Sequence, residues 1–164
     1  MTNYKYKFNG RRSVRLEGYD YTQAGIYYVT ICCQNMECLF GNVINGEMKL
    51  NAVGEMIESE WLNLIDQFTN IKLYEYVVMP NHLHGIIYII EMLAPKHKKL
   101  GEMIGSFKSI TTCKYALNVK TLEWQPFKGK IWQRNYYEHI IRNEESYKRI
   151  SEYILNNPAK WRKN

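Results

Sequence analysis

Two histidines separated by one residue, His82-Leu83-His84, are the first group in this chain whose types and spacing could do chemistry. On a β-strand, residues i and i+2 share a face and lie about 7 Å apart along the chain. Two imidazoles there can converge on one metal ion while Leu83 anchors the opposite face in a core. On a helix the same spacing would turn them roughly 200° apart. Two exposed or hydrogen-bonded histidines would satisfy the same pattern, and the pair alone does not decide between them. Gly85 follows directly and leaves room for a ligand against the backbone.

A second group lies near the end of the chain. Tyr153 and Asn157 are four residues apart, one helical turn on a shared face. An amide oxygen is a hard ligand suited to Mg²⁺ or Mn²⁺, and two imidazoles plus one amide leave coordination sites for phosphate and water. A phenol beside such a phosphate is a candidate nucleophile. Two features stand against this. Asn157 precedes a proline, which biases it away from helical geometry, and any one of 14 tyrosines is more often a core aromatic.

The elements that must position these groups follow from the hydrophobic pattern. Gly25 to Gln34 is β-branched and aromatic, and reads as a strand. Asn45-Gly46, between short apolar stretches from Leu39 to Leu50, signals a two-residue hairpin. Asn51 can cap a helix in which Val53, Ile57, Trp61, Leu64, Ile65 and Phe68 recur at helical spacing. Ile71 to Met79 and His82 to Ile90 are strands joined by Pro80-Asn81. After a break at Pro95, Leu100 to Leu117 forms an apolar helical stripe whose other side carries Lys108, Ser109 and Thr112. Lys130 to Ile141 reads as a strand. Asn143, Glu144 and Glu145 open a final helix running to about Asn157, where Pro158 ends it. This order predicts an α+β fold: a ferredoxin-like or RRM-like antiparallel sheet with helices packed on it, the C-terminal helix carrying the tyrosine.

Composition narrows the function classes. At 164 residues, 46% hydrophobic and 23% charged, the chain is one ordinary domain rather than a disordered or disulfide-stapled one. The formal charge of +6 suits a polyanionic partner. From Asn35 to Asn70 six acids face a single base, Lys49, so the positive charge collects elsewhere. It gathers in an N-terminal arm with Arg11, Arg12 and Arg15, a connector with Lys98 and Lys99, and the tail. These, with Lys108 and Ser109, are the candidate DNA-binding residues. No apolar run approaches the ~18 residues of a membrane helix, and the start of the chain lacks a signal-peptide core. Four cysteines without a CxxC pair fit reduced cytosolic thiols better than a zinc site.

Several segments together resemble the REP-associated tyrosine transposases, a branch of the HUH-type single-tyrosine transposases of small insertion sequences. They are Arg12-Ser-Val-Arg-Leu-Glu-Gly-Tyr-Asp-Tyr21, Gly25-Ile-Tyr-Tyr-Val-Thr-Ile31, Val77-Val-Met-Pro-Asn-His-Leu-His-Gly85, Ser106-Phe-Lys-Ser109, Trp132-Gln-Arg-Asn-Tyr-Tyr-Glu-His139 and Tyr153-Ile-Leu-Asn-Asn-Pro158. The resemblance runs from about Arg11 to Trp161. It implies one domain over 1–164, with a basic arm over 1–24 and a catalytic core over 25–164. It implies that His82 and His84 hold Mg²⁺ or Mn²⁺, that Asn157 occupies the third, amide-ligand position, and that Tyr153 attacks a single-stranded DNA phosphate to form a 5′-phosphotyrosine. The expected partner is single-stranded or hairpin DNA, with no membrane, in the cytoplasm at the nucleoid. Both monomers and homodimers with exchanged tyrosine helices occur among such relatives. Two other readings remain at this point: a non-catalytic module that grips hairpin DNA or RNA on the same fold, and a metal-dependent nuclease with Glu75 approaching from the adjacent strand.

Overall fold

The structure, a computed structural model, describes residues 24–90 and 98–162. Arg11, Arg12 and Arg15, with the rest of the N-terminal arm, lie outside the described residues, as does Pro95. The first strand, β1 (Gly25–Cys32), is followed by a hairpin of β2 (Gly41–Ile44) and β3 (Glu47–Leu50). Asn45 and Gly46 both have positive φ, 52° and 77°, as the two-residue turn demands. The chain continues through α1 (Ala52–Leu62), a short α2 (Leu64–Gln67), β4 (Ile71–Met79) and β5 (His82–Ile89). Then come α3 (Leu100–Thr121), β6 (Tyr137–Ile141), α4 (Glu144–Leu155) and a four-residue α5 (Asn157–Lys160).

Four strands pair in the order β4-β5-β1-β6, every neighbour antiparallel. This is the ferredoxin-like arrangement expected from the sequence, with the β2–β3 hairpin inserted before α1. Strand alternation divides the residues between two faces. Tyr27, Val29, Ile31, Leu83 and Ile87 point one way, into a core closed by Ile57 and Trp61 of α1 and by Met103, Ile104 and Phe107 of α3. Tyr28 and Ile86 point the other way, where Ile154 of α4 and Ile141 of β6 form a smaller cluster. Helices α1 and α3 therefore cover one face, and α4 lies on the other.

Local chemistry sets the helix ends. Asn51 Oδ1 accepts from the Gly54 amide at 2.9 Å, and Asn143 Oδ1 accepts from that of Ser146 at 2.8 Å. Glu102 Oε2 accepts from the Lys99 amide at 2.8 Å and secures the first turn of α3.

Three boundaries differ from the sequence expectation. The helix expected from Val53 to Phe68 breaks at Asn63, so that α2 starts anew at Leu64. The strand expected from Lys130 shrinks to Tyr137–Ile141. Before it, Trp132 keeps only a single antiparallel bridge, to Cys33, and the Lys108 ammonium of α3 then gathers the carbonyls of Gln133, Arg134 and Asn135 at 2.9, 3.3 and 3.2 Å into a loop. The final helix stops at Leu155, and Pro158 does not end it but sits in the first turn of α5, where a missing N–H costs nothing.

Candidate active site on the α4 face of the sheet

His82 and His84 open β5 opposite Cys32 and Thr30 of β1. Both side chains point to the α4 face, and both are buried, at 9% and 5% exposure. Their Nε2 atoms converge to 3.0 Å. Gly85 serves the other face. A Cβ there would lie 2.3 Å from the Trp61 ring of α1, so the glycine admits a tryptophan behind the histidine strand. The room expected for a ligand at Gly85 is filled by the core.

The outer nitrogens of both rings are also held. Asn81 Nδ2 donates to the Met36 carbonyl at 3.2 Å, which turns its Oδ1 toward His82 Nδ1 at 2.6 Å. An amide oxygen only accepts, so His82 carries its proton on Nδ1 and presents a lone pair at Nε2. His84 Nδ1 meets the hydroxyls of Tyr28 at 2.8 Å and Thr30 at 2.7 Å. Hydroxyls donate or accept, so His84 can present either a proton or a lone pair at Nε2. Without a cation, His84 Nε2–H donates to His82. A tautomer shift at His84 alone frees both lone pairs.

Burial pushes His82 down from its ordinary value to about 4, and burial plus the neighbouring His82 takes His84 to about 3. Both rings are thus neutral at pH 7, the form that binds metal. Two nitrogens at right angles around an octahedral ion, each about 2.1 Å away, stand about 3.0 Å apart. The observed separation and the neutral donors fit a small divalent cation. Among the described residues no three His, Cys, Asp or Glu side chains converge.

Tyr153 reaches the same place from α4. Its ring stands edge-on to His84 with centroids 5.4 Å apart, within the one chain, and the residue remains 46% exposed. Asn157 is buried at the start of α5. The junction at Asn156 means that tyrosine and amide ride on two consecutive helices rather than on one continuous face. Trp161, just past α5, tilts against His82 with centroids 5.9 Å apart.

Glu75 lies where β4 and β5 shift register. Its carboxylate accepts from the Tyr147 hydroxyl at 2.6 Å. Desolvation raises its pKa, but hydrogen bonds from Tyr147, its own backbone and Ser151 outweigh that and hold it below the ordinary value. Glu75 therefore secures α4 to the sheet. The proposed DNA contacts on α3 are not gathered with the histidines. That helix packs on the opposite face, Lys108 is bound to its loop, Thr112 Oγ1 donates to the Lys108 carbonyl, and Ser109 is exposed there. Lys98 and Lys99 are exposed before α3, with Lys98 paired to Glu102 at 3.6 Å.

Sequence reasoning missed Tyr28, Thr30 and Asn81 as partners of the histidines, and Trp161 beside them. The first two share β1's site-facing parity, and Asn81 precedes His82 directly, so those signals were local. The Trp161 contact depends on where α5 folds back.

Comparison with known proteins identifies the family of the chain. The family described as "Transposase IS200 like" matches residues 41–157, and the chain belongs to that transposase family. An uncharacterised protein of Haemophilus influenzae is 41% identical over 98% of this chain and 94% of its own length. Among solved structures, a REP-associated tyrosine transposase bound to a REP hairpin has a similar fold. Its TM-score is 0.64 at 20% identity, over 90% of this chain and 74% of that one. A candidate transposase of Deinococcus radiodurans aligns with a TM-score of 0.52 at 16% identity, over 87% and 95% of the two chains.

Proposed function

We propose that this transposase cuts and rejoins single-stranded DNA by transesterification, with Tyr153 as the nucleophile. The observation that carries the reading is the meeting, inside one chain, of an accessible phenol with a buried, neutral, convergent histidine pair. His82, His84 and the Asn157 amide would hold Mg²⁺ or Mn²⁺, which when bound polarises the scissile phosphate and stabilises charge on its oxygens.

The residues of the chain do the rest. Asn81 keeps the His82 lone pair directed inward, and Thr30 and Tyr28 let His84 change tautomer. Burial holds Tyr28 up at about 12, so it stays a phenol and serves as a hydrogen-bonding hydroxyl. The Tyr153 oxygen forms a bond to phosphorus as the bond from phosphorus to the 3′-oxygen breaks. The phenolic proton is lost, and the departing 3′-oxygen gains one. The product is a 5′-phosphotyrosine with a free 3′-OH, and attack by another 3′-OH reverses the step. The diester bond energy is conserved throughout, which agrees with the absence of a GxxxxGK[ST] phosphate loop from the sequence.

Single-stranded or hairpin DNA is the substrate class. The similarly folded transposase bound to a REP hairpin supports it, as does the net charge of +6. In this reading residues 25–164 form one catalytic unit, and the basic arm over 1–24, with Arg11, Arg12 and Arg15, grips phosphate. No helix among the described residues is long and apolar enough to cross a membrane.

Incubation with end-labelled single-stranded oligonucleotides containing a hairpin, plus Mg²⁺ or Mn²⁺, tests the proposal. A denaturant-resistant protein–DNA adduct is expected, and Tyr153→Phe should abolish it. Cleavage without an adduct would assign a nuclease instead, and binding without cleavage a non-catalytic module.

A further inference from the structure

A cavity of about 310 Å³ is lined by Trp161, whose ring also stands 5.9 Å from that of His82. The β2–β3 hairpin, the turn between β4 and β5, and α5 enclose it, with Asn42, Val43, Pro80, Pro158 and Trp161 among its walls. Its shape depends on the tight turn. Gly46, at φ 77°, sets the hairpin tip beside α5, where a Cβ would stand in ordinary contact with Ala159 Cα at 3.5 Å.

The chemistry of the walls selects an occupant. None of the lining side chains is charged, so a phosphate finds no counter-ion there. The indole offers a flat apolar surface, Pro80 and Pro158 add apolar walls, and the exposed Asn42 amide offers one donor set and one acceptor. A neutral, planar, hydrogen-bonding heterocycle matches that set. The Trp161 ring is a wall of this cavity and also leans on His82, so whatever fills the cavity is a near neighbour of whatever the histidines bind.

We infer that this cavity receives one unstacked nucleobase of the single-stranded DNA, beside the phosphate that Tyr153 attacks, with the base stacked on Trp161 and its edge within reach of Asn42. The inference rests on the single-stranded DNA reading above and adds a base-recognition site to it. Stacking on an aromatic side chain is worth about 1–3 kcal/mol per base, which is roughly 5- to 150-fold in affinity.

The test uses the full chain carrying Tyr153→Phe, so that binding is read without cleavage. Abasic sites, and separately 2-aminopurine, are placed one at a time along a hairpin-bearing oligonucleotide. Wild-type protein on the unmodified oligonucleotide maps the adduct. At one position adjoining the attacked phosphate, the abasic site should weaken binding at least 5-fold and 2-aminopurine should be quenched. Adding Trp161→Ala should cost the same factor on intact DNA and make that abasic site neutral, whereas Trp161→Phe should restore most of the loss. Asn42→Ala should change the preference among the four bases at that position and at no other. An adduct without any Trp161-dependent position overturns the inference and leaves the transposase chemistry standing. A Trp161-dependent position without an adduct does the reverse. Absence of single-stranded DNA binding overturns both.

Discussion

The two faces of the sheet are built from the same strands and do opposite work. On β5, Leu83 is fully buried beneath α1 and α3, while His82 and His84, its immediate neighbours, point toward α4. On β1, Tyr27, Val29 and Ile31 pack into the large core, and Tyr28 and Thr30 hold His84 from the other side. The core face is closed by α1 and α3 and packed with aromatics such as Trp61 against Phe107. The α4 face has a small apolar cluster and leaves Tyr153 half in solvent. The difference teaches that rigidity and chemistry are separated by one residue of register. The packed face anchors one side of the histidine strand, and the other side carries the polar groups around its imidazoles.

The comparison is broken most sharply at Tyr153. Tyr153→Phe should lower adduct formation by about 10⁴-fold or more while leaving the thermal midpoint nearly unchanged, because the residue lies on the open face. A large fall in midpoint would show that α4 depends on that hydroxyl. Trp61→Ala is the complementary change. It should destabilise by about 3–5 kcal/mol in denaturant titration, and Gly85→Val should also destabilise, by driving a side chain into the same ring. If either proves neutral, the packed face is not what holds the histidines.

Acid sharpens the contrast next. The folded values of about 4 and about 3 lie below the ordinary 6.5, so between these limits the unfolded chain takes up protons that the folded one refuses. Stability is therefore complete above pH 6.5 and declines as pH falls toward 4. The loss is about 2 kcal/mol per ring at pH 5. Replacing both histidines by Gln should flatten the metal-free stability profile between pH 5 and 7, and an unchanged slope would place the effect elsewhere. Lys108→Met gives the smallest expected effect, a loss of about 1–2 kcal/mol from three carbonyls deprived of their donor. Affinity for single-stranded DNA should stay within about twofold, because the ammonium is already bound to the 133–135 loop. A large loss of affinity with no loss of stability would return Lys108 to the phosphate-binding role expected from sequence.

What could be read from the chain was whatever depends on near neighbours. The Asn45-Gly46 turn, the caps at Asn51 and Asn143, the alternation that puts His82 and His84 on one side of β5, and the antiparallel α+β order are all short-range, and the structure has them. What escaped depends on which face of the sheet a distant helix covers. The polar side of α3 looked ready for phosphate, yet α3 packs across the sheet from the histidines. Gly85 looked like space for a ligand, yet the space belongs to Trp61, twenty-four positions earlier. The strand expected from Lys130 had the right composition, and a lysine ammonium from α3 took its carbonyls. Tyr153 was singled out by its spacing from Asn157, and its ring does lie against His84, although a helix junction now separates it from Asn157.

The position of Trp161 has a practical consequence. Because this indole shields His82 from just beyond the last helical turn, a protease nibbling inward from the carboxyl side would reach it eight residues before Tyr153. Such trimming would leave a folded protein with Tyr153 in place and one flank of its imidazole pair laid bare. Preparations cut before and after Trp161 would then differ in potency while looking alike by circular dichroism.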